Sequence, residues 1–115
     1  MNGVLLRFYV HENRKHRHIL LYDWLLENAK KLGIHGGSAF RAIAGYGRHG
    51  VLHEEHFFEL ASDLTVEIDF AVTEAEAASL LDMIRGEGIA IFYAKMPIEF
   101  GTTGDAVGDV ARSPA

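Results

Sequence analysis

Apolar and polar positions alternate along the first strand-like run. Val4, Leu6, Phe8 and Val10 fall on one face, and Leu5, Arg7, Tyr9 and His11 on the other. That period of two is the signature of a β-strand. The polar run His11 to Arg17 reads as a loop. From His18 to Leu32 the period lengthens: Leu21, Leu25, Ala29 and Leu32 step by four, four and three, the spacing of one buried helix face. Gly33 follows as a left-handed helix stop.

Gly36-Gly37 opens a second predicted strand, Ser38 to Gly45. Tyr46 to Asp63 is the least regular stretch and reads as a long connection with a short helix near Glu54 to Leu60. Leu64, Val66, Ile68, Phe70 and Val72 then alternate with Thr65, Glu67, Asp69 and Ala71 as a half-buried strand. Thr73 stands three residues before Glu76, a capping-box start. The helix it opens carries Ala77, Leu80, Leu81 and Ile84 on one face. Gly86-Glu87-Gly88 turns the chain into a fourth predicted strand, Ile89 to Met96. Beyond Gly101 the residues are mostly small and polar. The chain therefore divides into a folded domain, 1–101, and a flexible tail, 102–115.

The order strand-helix-strand, strand-helix-strand predicts an α+β, ferredoxin-like βαββαβ sandwich. Its four-stranded antiparallel sheet carries both helices on one face, because right-handed crossovers put them there. The opposite face should then be polar in a monomer. It is not, since Leu5 and Tyr9 oppose Leu6 and Phe8, and Ile89 to Tyr93 are apolar on both sides. A sheet apolar on two faces requires a second covering layer. With no third helix to supply one, another copy of the chain is the expected cover.

Bulk composition narrows the function classes. The 115 residues are 49% hydrophobic and 23% charged, ordinary for one globular domain. A formal charge of −5 argues against general affinity for nucleic acid or acidic membranes. No cysteine is present, so thiol chemistry is excluded and a reducing cytoplasm is the expected setting. The N-terminus lacks the pattern of a signal peptide, and no run reaches the length of a spanning helix.

Candidate chemistry is sparse. His53 and His56 stand three apart, one residue short of the zinc-protease spacing, and can be read as a metal pair or as a solvated acidic-histidine turn. The basic run Arg14 to His18 is either an anion site beside a helix start or a wet loop. Arg7, Tyr9 and Arg41 lie in strands and are candidates to project together. Glu67 and Asp69 share a strand face as a carboxylate pair or as its solvent or interface side. Neither Ser38 nor Ser62 sits on an elbow motif, so no enzyme is expected. The glycine segments Gly36-Gly37, Gly45-Tyr46-Gly47 and Gly86-Glu87-Gly88 are tight turns or places of close ligand approach.

Taken together, the stretch Gly36 to Gly50, with Gly45-Tyr46-Gly47-Arg48-His49-Gly50 at its end, resembles the second strand and T-loop start of PII signalling proteins. It is most similar to the PII-like family catalogued as domain of unknown function 190. The resemblance runs from Val4 to Phe100 and implies a homotrimer with a nucleotide, adenine-bearing by analogy, in the cleft between subunits. Gly45, Gly47 and Arg48 match the first binding element, and Gly86 and Gly88 match the glycines of the turn before the last strand. Gly37 and Arg41 complete the implied ligand set. The lysine of that turn is replaced by Ile89, and the arginines that follow the last strand are absent from Pro97 to Gly101. That loss implies a ligand of lower charge than a triphosphate. The implied role is a small-molecule-responsive regulator whose 46–63 loop engages a protein partner, a membrane transporter or an enzyme. The alternative is a divalent-metal-binding trimer using His53 and His56; a small enzyme using the same cleft is a third.

Overall fold

The computed structural model describes residues 1–46 and 64–104. Their elements run β1 (Asn2–His11), β2 (Lys15–His16), β3 (Ile19–Leu20), α1 (Leu21–Lys31), β4 (Ser38–Arg41), β5 (Thr65–Val72), α2 (Glu74–Gly86) and β6 (Phe92–Glu99). Four strands form an antiparallel sheet in the order β4-β5-β1-β6, and β2 and β3 form a separate small hairpin.

The alternation read along β1 and β5 fixes the register between them. Val4 faces Val72, Leu6 faces Phe70, Phe8 faces Ile68 and Val10 faces Val66, so the two apolar rows coincide on one side. All eight are buried, none more than 4% exposed. Leu21, Trp24, Leu25 and Ala29 of α1 and Ala77, Leu80, Leu81 and Ile84 of α2 join the same cluster. Both helices therefore cover one face of the sheet. Each large side chain removed from water there contributes about 1.5–3 kcal/mol, and the Phe8 and Phe70 rings meet edge to face at 6.1 Å.

Helix ends decide where the chain turns. The α2 start is a reciprocal capping box: Glu76 N–H donates to Thr73 Oγ1 at 3.1 Å, and Thr73 N–H donates to Glu76 Oε1 at 2.9 Å. No side chain caps α1. The chain enters it directly from the β2–β3 hairpin, and Leu21 N–H donates to the Arg14 carbonyl at 2.7 Å. Both helices stop in the same way. Gly33 (φ 90°) donates to Lys30 O while Ile34 donates to Ala29 O; Gly88 (φ 73°) donates to Arg85 O while Ile89 donates to Ile84 O. These paired bonds are Schellman caps, which require a left-handed residue that glycine adopts without strain.

Four boundaries differ from the sequence reading. Arg14 to His18 is not a plain loop: it belongs to a hairpin whose turn residues, Arg17 and His18, both have positive φ (54° and 68°), an unusual load for non-glycine residues. The helix accordingly begins at Leu21, and Leu32 is 43% exposed instead of closing the buried face. Strand β4 ends at Arg41 and not at Gly45. The last strand starts at Phe92 and passes through Pro97 to Glu99. Ile89 and Ile91 pack against the core before it begins. An edge strand tolerates proline because one side of its backbone has no ladder to complete. The short helix expected near Glu54 to Leu60 lies outside the described residues.

Replacing Thr73 by alanine removes one half of the capping box. The expected cost is about 1 kcal/mol, seen as a fall of roughly 4–8 °C in the thermal unfolding midpoint. An unchanged midpoint would contradict the capping role.

Candidate functional site

The glycine segments singled out in the sequence occupy different environments. Gly37 lies just before β4, and a β-carbon there would overlap the Phe70 ring and come within 3.2 Å of Leu26 Cδ2. Packing alone requires glycine at this position. Gly45, Gly86 and Gly88 instead have open space where a side chain would be, so another molecule can approach their backbone closely. Within the chain, the N–H groups of Glu87, Gly88 and Ile89 are already engaged in the α2 cap. What that turn offers is a bare surface and a carboxylate, more than spare amide donors.

Arg41 ends β4 with its side chain 63% exposed, and its Nε donates to Glu12 Oε2 at 2.8 Å. Glu12 also binds across to the start of β5, through its own N–H to Leu64 O at 2.9 Å. By register Arg41 faces Val66, on the helix side of the sheet, whereas Arg7 and Tyr9 face Asp69 and Glu67 on the other side. The three strand residues therefore do not converge. Arg7 and Tyr9 share a face, and Arg41 is apart. Gly47, Arg48, His53 and His56 lie outside the described residues. Among the described residues no three His, Asp or Glu side chains are grouped to hold a metal ion.

Topology relates the two glycine elements to each other. β4 and β6 are opposite edges of the sheet. The C-terminal end of β4 and the N-terminal end of β6 both lie at the end where β1 finishes, since Arg41 pairs Val66, Val66 pairs Val10, and Phe92 pairs Tyr9. Gly45 and the Gly86–Gly88 turn thus share one end of the molecule, separated by the sheet's width of roughly 14 Å at normal strand spacing.

From sequence alone Glu87 is only the middle residue of a glycine turn. Its Oε1 accepts from His16 Nε2 at 3.0 Å and from Arg17 Nη2 at 3.1 Å, while the His16 ring stands edge-on to Trp24 at 4.9 Å. No local pattern announces a contact 71 positions apart. It ties the strained hairpin to the glycine turn, beside an open groove floored by Trp24 and flanked by Asp23, Glu27 and Lys31. The His16 hydrogen bond, aided by the Arg17 charge against some desolvation, holds the Glu87 carboxyl below its ordinary range. A depressed carboxyl stabilises the fold above its unfolded value of about 4.3, and that contribution is lost as pH falls through the folded value.

The sheet face that no helix among the described residues covers, called the uncovered face below, carries the other polar cluster. Arg7 donates from Nε to Asp69 Oδ1 at 3.0 Å and from Nη2 to Oδ2 at 3.2 Å, and Nε is also 3.0 Å from Glu67 Oε2. Aspartate binding raises the arginine's already high pKa against desolvation. Desolvation, then the hydrogen bond and charge of Asp69, push the Glu67 carboxyl up, with Arg7 opposing. The carboxylate pair anticipated from the sequence is thus formed, with Arg7 between its members. Around it by register lie Leu5, Tyr9, Ala71, Phe40, Phe92, Ala94, Met96 and Ile98. Phe40 and Phe92 are 54% and 51% exposed, and Tyr9 and Phe92 touch with ring centroids 5.6 Å apart.

The described residues form a small α+β domain with one helix-covered sheet face, a second face that no described helix covers, and open glycine turns at one end. The family model DUF190, described as an uncharacterized ACR, matches residues 3–90, and the chain belongs to that family. It is 35% identical over 83 residues to a UPF0166 protein of Aquifex aeolicus (strain VF5), covering 72% of this chain and 79% of the relative. It is 30% identical over 91 residues to a UPF0166 protein of Methanocaldococcus jannaschii, covering 76% and 83%.

Two substitutions separate packing from other roles. Gly37→Ala is expected to destabilise the fold by about 1–3 kcal/mol through overpacking against Phe70, whereas Gly45→Ala leaves the unfolding midpoint unchanged. Equal midpoints for the two would contradict this. Glu87→Gln is expected to lower the midpoint at neutral pH. The gap to the unmodified protein should close in acid, and a gap independent of pH would remove the His16–Glu87 contact from the account.

Proposed function

We propose that the chain is a PII-like regulatory protein that self-associates as a homotrimer and binds a nucleotide or related anion between subunits. The sheet order supports a ferredoxin-like arrangement: β1 and β4 are parallel but separated by β5, and β5 and β6 are parallel but separated by β1. The observation that carries the reading is the placement of the glycine elements. Gly45 follows one sheet edge, and the Gly86–Gly88 turn precedes the opposite edge at the same end. Within one chain they are too far apart to share a small ligand; side-by-side copies bring one element of each together.

The apolar uncovered face supports the association itself, because a patch of that kind marks a contact surface. Arg48 supplies the phosphate-facing charge, with Ile89 in place of a second cation favouring a mono- or diphosphate over a triphosphate. Occupancy is read out through the 46–63 connection by a protein partner, a membrane transporter or an enzyme target. Among the described residues no helix is long and apolar enough to cross a membrane.

Thermal-shift measurements with AMP, ADP, ATP and cyclic nucleotides test the reading. A ligand at a hundred times its Kd is expected to add about 2.7 kcal/mol of stability, a shift of several degrees. Arg48→Ala should weaken the active nucleotide by about ten- to hundredfold. No shift with any nucleotide, or unaltered affinity in the variant, would contradict the proposed site.

A further inference from the structure

The uncovered face is not electrically balanced. Its central cluster holds one guanidinium, Arg7, against two carboxyls, Glu67 and Asp69, all within 3.2 Å of one another through the arginine nitrogens. The side chains are already only 29%, 29% and 19% exposed. Within this cluster one negative charge per chain is therefore in surplus, at the middle of a largely apolar surface. Covering that surface removes the water that screens the surplus, and an uncompensated charge in a dry interface is costly.

Resting on the self-association proposed above, we infer that closing the uncovered sheet face takes up one proton per chain on the Glu67–Asp69 carboxyl pair, so that acid tightens the assembly and alkali loosens it. The two carboxyls meet at one arginine nitrogen, each with an oxygen 3.0 Å from Arg7 Nε, so a proton taken up there is shared by the pair. Glu67 is poised to receive it, since its carboxyl is already pushed up in the lone chain by burial and by Asp69. Further desolvation at an interface moves it in the same direction. A raised carboxyl favours the state that contains it below its folded value, and the advantage disappears as pH rises through that value.

Every titratable group that register places on this face can be named. β1 brings Arg7, Tyr9 and His11, and β5 brings Glu67 and Asp69. β4 and β6 contribute none, presenting Ser38, Phe40 and apolar residues. Arginine and tyrosine keep one charge state through neutral pH. Histidine as a residue type changes charge near neutral pH, so His11, the histidine that register places on this face among the described residues, is the control.

Sedimentation of the full chain between about pH 5 and about pH 8.5 tests the linkage. The association constant should fall by up to about tenfold per pH unit for each proton released. Glu67→Gln should remove that slope and hold the tight, acid-side association throughout, and Asp69→Asn should remove it from the other carboxyl. His11→Gln should keep the unmodified pH dependence. General loss of negative charge in acid is common to all four proteins, so it cannot imitate this pattern. A wild-type slope in Glu67→Gln, or its loss in His11→Gln, overturns the inference. Association indifferent to pH overturns the proton linkage alone, while single-chain mass for every protein at every pH overturns self-association and this inference with it.

Discussion

A four-stranded sheet has two faces, and the two helices of the described residues cover only one of them. On the covered side, eight strand residues and eight helix residues form a continuous dry cluster. Hydrophobic burial there supplies the main favourable term in folding. On the other side, Leu5, Tyr9, Ala71, Ala94, Met96 and Ile98 lie beside an arginine held by two carboxyls. The remaining features, from the edge positions of the glycine turns to the raised Glu67 carboxyl, take their significance from what becomes of that second face.

The local devices that end each element also set the geometry of the proposed site. Two Schellman caps turn the chain out of α1 and α2 at Gly33 and Gly88, feeding it into the edge strands β4 and β6. Because those strands are at opposite sides of the sheet, the bare backbone at Gly45 and at Gly86–Gly88 is exposed at one end of the molecule but divided by its width. Glu87 adds a rigid tether, joining the second turn to a hairpin in which Arg17 and His18 both hold positive φ. Strain of that kind persists where surrounding contacts hold it, and His16 and Arg17 both contact Glu87 beside it.

Much of the fold was legible because it is written in local periodicity. The alternation of Val4 to Val10 and Leu64 to Val72, the i, i+3, i+4 stripe of Ala77 to Ile84, the Thr73–Glu76 box and the Gly33 stop each have a nearest-neighbour cause, and each stands where it was read. What failed was decided at longer range. The hairpin at Lys15–Leu20 is tied through His16 and Arg17 to Glu87, far along the chain. β6 runs through Pro97 because it is an edge strand, which no window of sequence reveals. The carboxylate pair was visible as spacing along β5, but Arg7 between its members depends on the β1–β5 register. Arg41, a candidate to project with Arg7 because both lie in strands, is put on the opposite face by a single step of strand parity.

The mass of the full chain in solution tests the central claim most directly. At micromolar concentration and slightly acid pH, multi-angle light scattering should return three times the 12.8 kDa of one chain. The same measurement on Leu5→Asp, which sets a charge in the middle of the uncovered face, should return a smaller species. A mass of 12.8 kDa for the unmodified protein would mean that this face stands in water unaided, contradicting the account.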